Sequence, residues 1–164
     1  MKVAGLSFVA LFVLVLGAIA FDGRNDGSPA ATPTPAAGAN QLVVEQGGKR
    51  ATVSVEIAAT ADQRQVGLMN RQSMSEDAGM LFLFKTNIQY GFWMKNTYIP
   101  LDIAYIGADG TVQQIFAAKP LDETVLIPDA PYRYVLEVNQ GWFERHGMGV
   151  GAKVTLPPNL PPVE

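Results

Sequence analysis

Two carboxylates stand inside apolar runs: Asp102 in IPLDIAYI and Glu137 in YVLEVN. An ionised carboxylate among apolar neighbours needs water or a cation to offset its lost hydration. For Asp102 the candidate cations are Lys95 and Lys119. For Glu137 they are Arg64 and Arg71, whose guanidinium suits bidentate pairing with a carboxylate. If the two carboxylates converged on one cleft, their pKa values would be driven apart, and acid–base work on an envelope carbohydrate, as a hydrolase or lyase, would become possible. A third cluster lies just ahead of Asp102, in GFWMKNTYIPLD. There Trp93 and Met94 would floor an apolar pocket, Lys95 and Asn96 would supply donors at its mouth, and Asp102 an acceptor, the usual composition of a ligand site. The candidate binding residues are therefore Arg71, Trp93, Lys95, Asn96, Asp102 and Glu137. No residue is assigned a catalytic role. His146, the single histidine, follows WFER at a predicted helix end, where capping or a surface position is the expected role.

Several chemistries are excluded. The chain has no cysteine and one histidine, so disulfides, thiolate catalysis and a multi-histidine metal site are absent. No Asp-rich loop has the spacing of a calcium site. Nucleotide-binding glycine loops and a serine nucleophile elbow are also missing. The formal charge is −3 with no basic run, which argues against nucleic acid and against an anionic membrane surface. No metal or cofactor is expected.

The elements that must position these residues are mostly short strands. Gln41–Gln46 and Ala51–Ala58 read as a hairpin about Gly47-Gly48, and Val53, Val55 and Ile57 alternate with polar residues as in a half-buried strand. Thr60-Ala61-Asp62-Gln63 is a capping box that opens a helix. Gly67 marks close packing or a weak helix end, and Asn70 a left-handed stop. Ser73-Met74-Ser75-Glu76 repeats the capping pattern and predicts a short helical turn. Met80–Phe84 and Tyr132–Val138 read as strands, as does Gly91–Asn96, with Phe92, Met94 and Asn96 on one face. Asp109-Gly110 predicts a two-residue hairpin turn. Counting outward from it pairs Ala108 with Thr111 and sets Asp102 opposite Ala117, with Lys119 on the diagonal. Trp142–Arg145 predicts one helical turn, and Lys153–Thr155 a last strand. The fold class is mainly β with minor α: a compact sandwich or barrel of short strands carrying one or two short helices.

Four segments organise the chain. Residues 1–20 carry Lys2, an uncharged apolar run and Ala18-Ile19-Ala20, the pattern of a secretory signal peptide, with an uncleaved anchor as the alternative. Both place the rest of the chain outside the cytoplasm: exported, periplasmic or extracellular, or held at the inner membrane through this segment alone. Residues 21–40, rich in Pro, Ala, Thr and Gly, form a linker. Residues 41–155 form one globular domain, expected to be a monomer. Residues 156–164 form a proline-rich tail.

The stretches RQVGLMNRQSM, GMLFLF, FWMKNTYIPLDIAYIGADG and YVLEVNQGWFERHGMGVGAKV together closely resemble the domain of unknown function 192 family. The resemblance implies a compact β-rich fold and agrees with export. It supplies no activity and no catalytic residues. The functional expectation is a non-catalytic module that binds a small molecule or glycan. An envelope assembly protein and the carboxylate-based hydrolase or lyase are the alternatives.

Overall fold

The computed structural model describes residues 40–164. The signal or anchor segment, and the linker up to residue 39, lie outside the described residues.

Seven strands form one sheet: β1 (Gln41–Gln46), β2 (Lys49–Ala58), β3 (Ala78–Ile88), β4 (Leu101–Ile106), β5 (Val112–Ala118), β6 (Tyr132–Asn139) and β7 (Lys153–Thr155), in the order β5-β4-β6-β3-β2-β1-β7. The sheet curls into a half-barrel. An isolated bridge between Thr111 and Lys153 brings the tip of the β4–β5 hairpin against β7. Among the described residues there are two short helices, α1 (Ala61–Val66) and α2 (Trp142–Arg145). The mainly β class with minor helix is what the alternation predicts, built from a single curled sheet.

Curling gives the sheet two apolar faces. One core gathers Leu42, Val53, Leu81, Leu136, Val138 and Trp142. The other gathers Phe82, Ile103, Tyr105, Tyr132 and Val135 beneath α1 and the loop that precedes β4. Strands buried on both faces lose their alternation, and all six residues of β4 are buried.

The Thr60 capping box forms as the sequence predicts. Thr60 Oγ1 accepts from the Gln63 amide, and Gln63 Oε1 accepts from the Thr60 amide. The helix is shorter than its pattern because Gly67 ends it: φ +50° and ψ −131° there suit glycine alone, and a Cβ would sit 3.2 Å from Phe82 Cζ. Asn70 is left-handed, as expected, at φ +64°. The second capping pattern, Ser73 to Glu76, makes no helix. Its backbone turns instead into β3, which lies parallel to β2 across the α1 connection.

The β4–β5 hairpin corrects one step of the count and keeps another. Asp102 does face Ala117. However, the loop has three residues, with the Gly107 amide donating to Thr111 O and Gly110 at φ +79°. Ile106 then pairs with Val112 and Tyr105 with Gln114, so Gln113 bulges. The extra loop residue and the bulge together occupy the place of one predicted strand pair.

Gly91–Asn96 is not a strand. Only Phe92 makes a bridge, to Leu126. Met94 donates its amide to Asp122 O, and Asn96 is left-handed at φ +53°. The segment packs on residues 122–127, which no local pattern links to it.

The proline-rich end lies on the domain. Leu156, Leu160 and Val163 pack against the first core, and the Glu164 amide donates to Ala59 O.

Candidate functional site

Above the second core lies a cavity of about 490 Å³. Its floor and far wall are Phe82 and Phe84 of β3 and Tyr132 of β6. One side is the end of α1 and the turn after it, Arg64 to Met69. The opposite side is the loop from Tyr90 to Trp93, with Thr97 behind. The aromatic walls brace one another edge to face: Phe82 with Phe92 at 5.0 Å, and Phe84 with Tyr132 at 5.5 Å between centroids. Val66, Tyr90 and Trp93 stay exposed at the lip.

Glu137 also lines this cavity, from β6 in the interior of the sheet, where it pairs with Met80 on one side and Ile103 on the other. The residue is 5% exposed, and its side chain has no hydrogen-bond or ion-pair partner among the described residues. No fully occluded side-chain polar atom among them lacks a partner, so the Glu137 oxygens are those open to the cavity. Burial raises its carboxyl to a pKa of about 8.

The tyrosine hydroxyls and arginines around the second core are already engaged. Tyr105 Oη donates to Leu126 O at 2.5 Å and accepts from the Phe92 amide, and its pKa is raised first by burial, then by Tyr132 and Glu137. Tyr132 Oη donates to Tyr90 O. Neither arginine expected to hold Glu137 does so. Arg71 makes a bidentate pair with Glu56, at 2.5 and 2.6 Å. Arg64 donates to Ala59 O, Leu83 O and Glu164 O and lies over the Phe84 ring at 5.3 Å. It is a wall of the cavity with its donors turned into the backbone.

Asp102 is on the other side of the sheet. It pairs with Val138, one residue past Glu137, so the two carboxylates point to opposite faces. Neither Lys95 nor Lys119 pairs with it. Its Oδ2 accepts from the Gly141 amide at 3.0 Å, and the amides of Trp142 and Phe143 also bond to it. Asp102 therefore caps α2, whose own N-cap residue, Gly141, has no side chain to do so. Burial raises the Asp102 pKa, and the three amides and Arg145 only partly oppose it. The two-carboxylate arrangement on one glycosidic bond is thereby removed.

Trp93 stands at the cavity mouth, 39% exposed, with Lys95 Nζ 5.1 Å from its ring centroid. Met94 is buried in the second core, beneath the loop and away from the cavity lining. Lys95 and Asn96 lie beyond the lip. Among the sequence candidates, the structure brings Trp93 and Glu137 to one cavity; Arg71, Lys95, Asn96 and Asp102 do not line it. No sequence pattern marks the lining residues Gly67, Phe82, Phe84, Thr97 and Tyr132 as a site. Their only local signal is the aromatic alternation of Phe82 and Phe84, which core packing explains equally well. His146 clamps α2: Nδ1 lies 2.8 Å from Trp142 O, and the ring stacks on Trp142 at 4.3 Å. Among the described residues there is no cluster of three or more potential metal ligands, and no helix is long and apolar enough to cross a membrane.

Two solved structures share the fold. One, from Sinorhizobium meliloti 1021, is described as a candidate transcription regulator. It is 37% identical, with a TM-score of 0.69, covering 71% of this chain and 92% of its own. The other, from Novosphingobium aromaticivorans DSM 12444, is a protein of unknown function. It is 36% identical, with a TM-score of 0.69, covering 77% of this chain and 94% of its own. No curated protein matches the chain at a significant level. Residues 42–156 match the model of DUF192, described as "Uncharacterized ACR", and the chain belongs to that family.

Proposed function

We propose that the domain is a non-catalytic module that binds a small molecule in the aromatic cavity, and that it does so outside the cytoplasm, carried there by the apolar N-terminal segment. The observation that carries the reading is the cavity itself. It is about 490 Å³, within the range of small-molecule sites, and has aromatic walls, an exposed apolar lip and a single free polar group at depth. A core packed for stability alone would close such a space, because unfilled volume costs stability.

Regulation through DNA, suggested by the description of the S. meliloti neighbour, has less support here. The charge is −3, the sequence has no basic run, and Arg50, Arg71, Arg145 and Lys153 each face a carboxylate rather than open solvent where a phosphate would approach.

A fragment screen by amide chemical shifts on residues 40–164 tests the reading. Hits should move the amides of Gly67, Trp93 and Thr97 together and change Trp93 fluorescence, while Trp142, fully buried in the other core, reports nothing. Hits that map elsewhere, or a library that leaves these amides unmoved, would remove the cavity as the site.

A further inference from the structure

We infer that the cavity selects organic cations, an ammonium group on an apolar or aromatic body, with Glu137 as the group that receives the charge. The inference rests on the cavity being a binding site and adds the class of ligand.

A ligand entering between Val66, Tyr90 and Trp93 meets aromatic faces and edges along its length, and at depth it meets one unspent polar side chain. Glu137 presents only acceptors when ionised, and nothing among the described residues uses them. The hydroxyls of Tyr105 and Tyr132 are committed to Leu126 O and Tyr90 O. The cation in the cavity lining, Arg64, points its donors at three backbone carbonyls. A carboxylate or phosphate ligand would find a single donor at depth, the proton of neutral Glu137, and would meet a like charge whenever that proton leaves. A neutral apolar ligand would fill the walls but leave the Glu137 oxygens unmatched. An ammonium satisfies both, through charge-assisted hydrogen bonds at one end and ring faces along the stem.

Burial without a partner holds Glu137 protonated near neutral pH. Binding an ammonium then ionises it, and one proton leaves to solvent for each ligand bound. Charge and protons balance: the neutral acid and the cation become an ion pair plus a released proton.

Three probes of one shape test the inference by calorimetry on residues 40–164: 2-phenylethylamine, 2-phenylethanol and 3-phenylpropionate. The amine is expected to bind at least about tenfold more tightly than the alcohol, the range of one charge-assisted hydrogen bond. The propionate is expected to be weakest. At pH 7, buffers of different ionisation enthalpy should register close to one proton released per amine bound. In Glu137→Gln the amine should lose its advantage over the alcohol and the proton release should vanish. That variant resembles the protonated acid in shape, so it should fold.

Alcohol or propionate binding as tightly as the amine would overturn the cation inference and leave the cavity as a site. An amine preference that survives in Glu137→Gln would overturn the role of Glu137. Binding by none of the three also overturns the inference, and the fragment screen then decides separately whether the cavity binds anything.

Discussion

The backbone amide of Asn70 donates to the carbonyl of Asn96 at 2.8 Å, and both asparagines hold left-handed backbone conformations, at φ +64° and +53°. This single bond ties the turn after α1 to the loop before β4, the two sides between which the cavity opens. Asparagine tolerates the left-handed region better than other residues with a Cβ, and a β-branched residue tolerates it worst.

Asn96→Val should therefore destabilise the domain by about 1–2 kcal/mol, and Asn96→Gly by much less. Urea unfolding of the two variants beside the parent measures the difference. Equal midpoints for valine and glycine would show that the left-handed turn does not hold the loop in place.

Glu137 makes stability depend on pH. Its ordinary carboxyl pKa is 4.5, and burial raises it to about 8 in the folded state. Between those values the folded protein holds a proton that the unfolded chain has released, so stability falls as pH rises across that window and levels off above it. The full effect is about 3–5 kcal/mol at most. Asp102, also raised, acts in the same direction at lower pH. Glu137→Gln should flatten the curve between pH 5 and 8 and be more stable than the parent at pH 8. A parent curve that already runs flat over that range would mean that the carboxyl is solvated or paired in solution.

Variants of Asp102 should fall in a definite order. Asp102→Ala leaves the Gly141, Trp142 and Phe143 amides without their acceptor and should cost about 1–2 kcal/mol, as the loss of a helix cap does. Asp102→Asn keeps one acceptor oxygen and should cost less. Denaturant titration gives the order, and amide exchange should quicken at Trp142 and Phe143 in the alanine variant. An asparagine variant as unstable as alanine would mean that the charge, rather than the acceptor, matters at this position.

What could be read in the sequence was local. The Thr60 capping box, β1, β7, the α2 turn and the pairing of Asp102 with Ala117 all come from short patterns. The Gly91–Asn96 loop did not, because Phe92, Trp93 and Met94 have strand-like character while their partners lie at 122–126, across a separation that no periodicity encodes. The carboxylates show the same division. That Asp102 and Glu137 needed an explanation was visible from their apolar neighbours. The nature of each answer was not: backbone amides for Asp102, and for Glu137 no cation among the described residues. Arg71 was a sound chemical partner, but Glu56 of β2 lies within its reach, and one strand's worth of topology decided between the two acids.

β7 is three residues long, yet it joins residues from the two ends of the domain. It pairs with β1, Val43 opposite Thr155, and Lys153 bridges to Thr111 at the hairpin tip. Folding therefore cannot finish from the front of the chain. As the polypeptide is made, β1 and β2 can pair early, but the outer side of β1 stays open until nearly the whole domain has been synthesised and its last strand arrives. Such long-range closure is intrinsically slow and leaves an unpaired edge exposed during that interval. The smallest strand thus sets the moment at which the open edge of β1 is covered.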